Sequence, residues 1–445
     1  MGIPRGAYRM HAPVLRPEWR LSANASRVFG LVDCNKFYAS CESHPLWRPD
    51  LIGKPVVVLS NNDGCVIAMS MEAKKMGYKM GDPHFKLKER LRDEGVHVFS
   101  SNYTLYDDLS NRVMMTLADM VPELEVYSID EMFADLTGIQ GLQGFGEELR
   151  NRVWEWVGIR VGVGISATKT LAKLANWAAK NWRGLGSVAV VLDDQRHELL
   201  LKRAPVDEVW GIGRRYAEKL KDRGIETAWH LACCDDQAMG KEYSVILQRT
   251  ILELRGIPCA DLELQAPPKK QIISSRAFGS RQQGWKPIEQ SIASYVARAA
   301  EKLRAQGSVC RKIDVSLIVR KAKAESFSDA YSSATARLQQ HTDDTLTLQG
   351  AAVSLAKKIF DDNAVYAKSS VALSEICQPE DLTTDMFSAF TSQSPRAKVL
   401  DEINARFGKG ALRSATTIGE MPWSMQRGHL SPYYTTRLSD LPKLR

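Results

Sequence analysis

The chain has 445 residues, 44% of them hydrophobic and 25% charged, a balance that marks a folded globular protein and, at this length, several domains instead of one core. No apolar run approaches the roughly 18 residues that cross a bilayer, which argues against membrane insertion. The formal charge is +8 but uneven: residues 266–358 carry sixteen Lys and Arg against seven Asp and Glu, so a polyanion partner is expected there.

Residues 1–27 contain five Arg, one acidic residue and Pro4, Pro13 and Pro17. They lack the apolar core of a secretion signal and read as a disordered N-terminal extension. Residues 28–193 then alternate short β-rich runs with helical stretches, the pattern of an α/β or α+β core. The first run, 28–32, ends at Asp33. A helix would start directly after it at Cys34-Asn35-Lys36-Phe37-Tyr38, where first-turn amides favour a phosphate. Phe37 and Tyr38 would stand beside such a group or, as is ordinary for early helix aromatics, simply pack in the core.

Further runs at 56–59, 66–68 and 96–99 and a helix at 106–120 lead to a run at 124–129 that closes on Asp130-Glu131, with 133–136 returning. Neighbouring strand residues face opposite ways, so Asp130 and Glu131 reach one centre only at a hairpin turn or bulge. Alone, the pair reads as an acidic turn. With Asp33 at another strand end, it suggests hard oxygen ligands for Mg²⁺ in phosphoryl or nucleotidyl transfer. A helix at 145–157 and a strand at 161–165 precede Gly162-Val163-Gly164-Ile165-Ser166-Ala167-Thr168-Lys169-Thr170. This stretch lacks the glycines of a phosphate-binding loop at Val163 and Thr168. What remains is Lys169 at the start of a helix over 168–180, placed to meet a triphosphate or to sit in solvent. A strand at 188–192 ends the core.

Residues 194–256 read as a small helical domain. At its centre, Val209-Trp210-Gly211-Ile212-Gly213 followed by Arg214-Arg215 resembles a helix-hairpin-helix, whose glycines let amides approach a DNA phosphate. Residues 257–270, with Pro258, Pro267 and Pro268, read as a linker. Residues 271–378 follow the order strand, helix, strand, strand, helix, strand, a ferredoxin-like pattern, and 379–445 form a tail. The eight cysteines have neither C-x-x-C spacing nor companion histidines, so neither zinc nor a disulfide framework is expected, and a reduced cytoplasm fits them.

Three groups of residues carry a resemblance: Asp33 to Glu42, Ser128-Ile129-Asp130-Glu131, and Ser60 to Ala68 with Met80-Gly81-Asp82-Pro83. They are joined by the stretches 162–177, 209–215 and 430–437. Taken along the chain, these stretches make it similar to the Y-family translesion DNA polymerases, of the UmuC type, from about residue 28 to its C-terminus. The resemblance implies an α+β multidomain right hand: palm and fingers over 28–193, a helical thumb over 194–256, and a ferredoxin-like little finger over 271–378. It implies an error-prone DNA polymerase of the SOS response in the bacterial cytoplasm, adding deoxynucleoside triphosphates to a primer-template DNA.

The same resemblance implies roles. Asp33 and Asp130 would bridge two Mg²⁺ ions, the Cys34 carbonyl would complete a shell, and Glu131 would hold the ion that activates the primer 3′-hydroxyl. Phe37 and Tyr38 would border the nucleotide, with Tyr38 as sugar gate. Lys169 and Lys74 would meet the triphosphate, while Gly211, Gly213, Arg214 and Arg215 would touch DNA. A UmuD′ dimer and a RecA filament are implied as partners, engaged partly through the tail. Two departures stand out. Relatives often read Ser-Tyr-Glu-Ala-Arg where this chain has Ser70-Met71-Glu72-Ala73-Lys74, and the place of the Gln-x-x-Leu-Phe motif for the sliding clamp reads Thr383-Thr384-Asp385-Met386-Phe387. Its missing glutamine weakens the case for a clamp partner. A nucleotidyl cyclase and a catalytically silent DNA-binding subunit are the rival classes.

Overall fold

Phe29–Cys34 (β1) is apolar apart from Asp33 and is almost wholly buried, which makes it the central strand of the main sheet. The computed structural model describes residues 19, 21, 27–265, 267–321, 328–382, 395–408 and 410–442. These fall into two units. The first holds the described residues of Met1–Leu59, Cys65–Ala266 and His429–Arg445, the second those of Ser60–Gly64 and Pro267–Gly428.

In the first unit β1 is followed by α1 (Phe37–Glu42), β2 (Val56–Leu59), β3 (Val66–Met69), α2 (Met71–Lys75), α3 (His84–Asp93), β4 (His97–Ser100) and α4 (Tyr103–Ala118). Then come β5 (Glu123–Val126), β6 (Glu131–Asp135), α5 (Leu142–Val157), β7 (Val161–Ser166), α6 (Lys169–Asn181) and β8 (Val188–Val191). The main sheet has the order β5-β6-β1-β7-β8, and a smaller sheet the order β3-β2-β4. β1 runs antiparallel to both neighbours, with Asp33 opposite Glu131 on one side and Gly162 on the other. Directly opposed residues share a face, so this register puts Asp33 and Glu131 side by side.

Both glycines of the Gly-Val-Gly stretch serve packing. A Cβ on Gly164 would stand 2.2 Å from the Ala172 carbonyl oxygen and the Asn176 amide, and one on Gly162 would press on Lys180 and Asn176. Helix α6 therefore lies flat on β7 because no side chain intervenes. Thr168 caps it by accepting the Leu171 amide, and Asn176 donates to the Gly162 carbonyl oxygen.

Helices α7 (Asp194–Arg203), α8 (Arg214–Lys221), α9 (Ala228–Ala232), α10 (Asp236–Glu242) and α11 (Val245–Leu254) form the helical part. Its core includes Leu200, Val206, Leu220, Leu231 and Leu254. Trp19 and Leu21 are buried in the same core, with Trp19 edge-on to Trp229 and under the Arg255 guanidinium. At these two positions the expectation of a disordered extension is corrected: an indole and a leucine among polar and proline residues are local apolar anchors. The expected linker is also engaged, since the Glu263 amide donates to Glu125 and the Asp261 carbonyl oxygen accepts from Lys169.

The second unit runs β9 (Ile272–Gln282), α12 (Trp285–Ala305), β10 (Val309–Lys321), β11 (Ser328–Thr342), α13 (Thr345–Ile359) and β12 (Tyr366–Cys377), with sheet order β11-β10-β12-β9, all antiparallel. This is the ferredoxin-like βαββαβ arrangement. Alternate residues Ile313, Val315 and Leu317 pack with Ile292 and Val296 of α12 and Leu348 of α13. The expected tail is structured where described. α14 (Pro395–Phe407) is tied to α12 by a bidentate Arg304–Asp401 pair at 2.6 and 2.8 Å. Trp423 packs edge-on to Tyr295 and donates to Gln290.

Candidate active site

Asp130 lies in the short hairpin loop between β5 and β6, and Glu131 opens β6. The loop is held from inside: the Ser128 hydroxyl donates to the Asp130 carboxylate at 2.7 Å and accepts the Asp130 and Glu131 amides. The Ser110 hydroxyl ties it to α4 by donating to the Ile129 carbonyl oxygen at 2.6 Å. The Cys34 amide donates to the Asp130 carbonyl oxygen at 2.8 Å, so the end of β1 and the hairpin are one hydrogen-bonded corner. Burial pushes the Asp33 carboxyl above the usual range and the Glu131 and Asp130 charges push it further, against the opposing pull of Lys180. Three carboxylates thus lie within electrostatic reach of one another. Cys34 beside them is a buried thiol, held protonated by desolvation first and by the Asp33 charge second.

The neutralising charges come from α6. Lys180 Nζ is 2.6 Å from Asp33, and Lys173 Nζ is 3.0 Å from Glu131. Lys169, the expected triphosphate lysine, is 3% exposed and ion-paired with Glu125, with its ammonium over the Phe133 ring. It holds the helix to the sheet and does not face the cleft. Lys169, Lys173, Asn176 and Lys180 form one stripe at helical spacing. That stripe is the sequence signal that would have found Lys173 and Lys180.

A cleft of about 510 Å³ opens beside the corner, lined among others by Lys36, Tyr38, Met69, Lys74, Tyr78 and Asp130. Lys36 caps α1 with φ 49°, and its pKa is lowered, by burial first and then by the Lys74 and Lys180 charges. Lys36, Lys74 and Lys79 line this cleft beside Asp130. Met69 is buried in the small sheet's core and Met71 is exposed, so the departures in this stretch leave Lys74 as the cleft's cation from α2. Ser70 Oγ caps α2.

Phe37 is buried in the core and, like Tyr38, lines the cleft. Tyr38 stacks on Tyr106 with centroids 4.5 Å apart and 16° between planes, and meets Tyr103 edge-on. Burial raises the Tyr38 phenol above its ordinary pKa, so it is a neutral, wedged ring. The role of Tyr106 in backing it was not legible from the sequence.

At the hairpin of the helical part, Gly211 has φ +88° and the amides of α8 begin after Gly213. Gly213 has φ −77° and open space around its Cα, so it keeps the surface smooth and does not supply a left-handed turn. Arg214 is 92% exposed and, among the described residues, paired with Glu218 on its own helix, and Arg215 is exposed too. Trp210 fastens the hairpin to the main sheet, donating to the Tyr127 hydroxyl at 3.2 Å and packing against Phe133. Residues 383–387, the place of the clamp motif, lie outside the described residues.

The impB/mucB/samB family is matched over residues 32–177, its C-terminal domain over residues 269–386, and a domain of unknown function, DUF4113, over residues 397–444. Protein UmuC of Salmonella typhimurium (strain LT2) is 46% identical over 427 residues, covering 94% of this chain and 100% of that protein. Protein SamB of Salmonella typhimurium is 43% identical, covering 93% and 99%. Among solved structures, a Y-family DNA polymerase chimera superimposes with a TM-score of 0.62 at 21% identity, covering 79% of this chain and 99% of the chimera, a likeness of fold.

Proposed function

Since the chain belongs to the impB/mucB/samB family, the UmuC-type Y-family translesion DNA polymerases, we propose that the corner of Asp33, Asp130 and Glu131 and the cleft beside it are its nucleotidyl-transfer site. The protein is an error-prone DNA polymerase of the SOS response, acting on primer-template DNA and deoxynucleoside triphosphates. The observation that carries the site assignment is the corner itself: Asp33 stands opposite Glu131 in the sheet, the Cys34 amide is bonded to Asp130, and Asp130 lines a cleft together with Lys36, Lys74 and Tyr38.

The donor set fits divalent metal. Carboxylate oxygens are hard ligands suited to Mg²⁺, and a cation would offset what raises the Asp33 pKa, burial first and then the Glu131 and Asp130 charges. Among the described residues no three acidic, His or Cys side chains are grouped closely enough to enclose an ion, and Lys180 and Lys173 are paired with Asp33 and Glu131. Two Mg²⁺ ions held by Asp33, Asp130, Glu131 and the Cys34 carbonyl would supply an activated primer 3′-hydroxyl and charge neutralisation at the reacting phosphate.

The chain's own groups do the rest. With a metal held at Asp33, Lys180 would be free to join Lys36 and Lys74 in receiving a triphosphate, and would take the role expected of Lys169. Tyr38, backed by Tyr106, sits where a ribose 2′-hydroxyl meets carbon instead of space. The exposed Arg214, Arg215 and the amides after Gly213 bind duplex phosphates without reading sequence, and the basic second unit grips the same polyanion. A UmuD′ dimer and a RecA filament complete the working enzyme in the bacterial cytoplasm. No helix among the described residues is long and apolar enough to cross a membrane.

Primer extension past an abasic site, with Mg²⁺, UmuD′ and a RecA filament, tests the reading. Extension that Asp130→Asn abolishes supports it, and extension that survives in Asp130→Asn removes the hairpin carboxylate from the site.

A further inference from the structure

The described residues from His429 onward belong to the first unit and are held there by backbone and side-chain bonds, several of them buried. The His429 amide donates to Ser100 Oγ, and the Ser100 amide donates to the His429 carbonyl oxygen, both at 2.9 Å. Asn102 is fully buried, and its side-chain amide donates to Ser431 Oγ at 3.0 Å and to the Ser431 and Pro432 carbonyl oxygens at 3.2 Å. The Tyr434 ring stacks on Trp47, which stacks in turn on His44.

This docking reaches the nucleotide cleft by a short chain of contacts. Ser431 Oγ donates to Glu42 Oε1 at 3.1 Å, and the Tyr106 hydroxyl donates to the same oxygen at 2.6 Å. Glu42 is fully buried, and its Oε2 has no hydrogen-bond partner among the described residues, so two hydroxyls converging on Oε1 fix its rotamer. Tyr106 is the ring on which Tyr38 stacks. Asn102 acts a second time, because its carbonyl oxygen caps α4 by accepting the Leu105 amide, and the first turn of α4 carries both Tyr103 and Tyr106.

We propose that residues 429–434 are a positioning element of the sugar gate: their docking on Asn102 and Glu42 holds Tyr106, and through it Tyr38, so discrimination between deoxyribose and ribose depends on the C-terminal segment. Ser431 is a positioning residue, since it touches neither nucleotide nor metal and acts through Glu42 and Tyr106. The inference rests on Tyr38 being the gate. It also gives the segment a task inside the catalytic unit, distinct from partner binding by the tail.

The test measures kcat and KM for a deoxynucleotide and its ribonucleotide counterpart, using the full-length chain with its partners. The variants are Tyr38→Ala, Ser431→Ala, Ser431→Thr and Tyr106→Phe. Expected is a large loss of sugar selectivity in Tyr38→Ala. In Ser431→Ala and Tyr106→Phe the ribonucleotide-to-deoxynucleotide kcat/KM ratio should rise roughly three- to tenfold, the worth of one neutral hydrogen bond. Deoxynucleotide kcat should be kept in Ser431→Ala, and Ser431→Thr should restore selectivity because it restores the hydroxyl. Selectivity unchanged in Ser431→Ala and Tyr106→Phe, with Tyr38→Ala permissive, overturns the inference and spares the gate. Selectivity unchanged in Tyr38→Ala overturns the gate and, with it, the inference.

Discussion

Lys180 Nζ stands 2.6 Å from the Asp33 carboxylate, while Lys169, eleven residues earlier on the same helix, is sealed against Glu125. The two lysines lie on one stripe of α6 and have different work. Lys180→Ala should lower kcat/KM for deoxynucleotides by roughly 10- to 100-fold, mostly through KM, the loss of a charge-assisted contact. Lys169→Ala should instead strip Glu125 of its buried partner and cost about 3–5 kcal/mol of stability. Steady-state kinetics and thermal melting of both variants separate the roles; the reverse pattern would return the triphosphate role to Lys169.

Gly164 is where α6 meets β7. Gly164→Ala places a methyl 2.2 Å from backbone atoms of Ala172 and Asn176, neither of which can give way without moving the helix. A loss of at least about 1–3 kcal/mol is expected, the range for overpacking, together with a fall in polymerase activity as Lys173 and Lys180 are displaced. A variant with wild-type melting and activity would show that the helix does not need this close approach.

Glu42 gives the docking of the C-terminal segment a pH dependence. Burial raises its pKa to about 7, against the lowering effect of the Tyr106 and Ser431 hydroxyls. A carboxyl whose folded pKa exceeds its unfolded value of 4.5 stabilises the fold fully below about pH 4.5, and that contribution is lost as pH rises through about 7. The swing is on the order of 3 kcal/mol. Glu42→Gln keeps an oxygen acceptor and cannot ionise, so its denaturation midpoints between pH 5 and 8 should lose most of this slope; an identical slope in variant and parent would refute the assignment.

The basic second unit should govern salt sensitivity. Arg276 and Arg281 are exposed on β9. If both meet phosphates, the double Arg276→Ala, Arg281→Ala change should weaken DNA binding uniformly across sequences and reduce the slope of log K against log salt by about two. Fluorescence anisotropy over a salt series reads this directly, and an unchanged slope would take β9 out of the interface.

Much of this protein was legible in its residues taken in order. Period-two and helical spacing located the main strands and helices, because burial on one or both faces constrains local composition. The ferredoxin-like order of the second unit followed from the same local rules, the alternation of strand side chains required a hairpin or a bulge if Asp130 and Glu131 were to reach one centre, and the charge count singled out residues 266–358. Which lysine meets which carboxylate was a different kind of question. Lys169, Lys173 and Lys180 are alike in sequence, and only the register of α6 on β7, set by the approach at Gly162 and Gly164, pairs one with Glu125 and another with Asp33. The burial of Trp19 and the bonds from Ser431 and Asn102 to Glu42 also join residues far apart in the chain. Local propensity carries no information about such pairs; packing of the whole unit decides them.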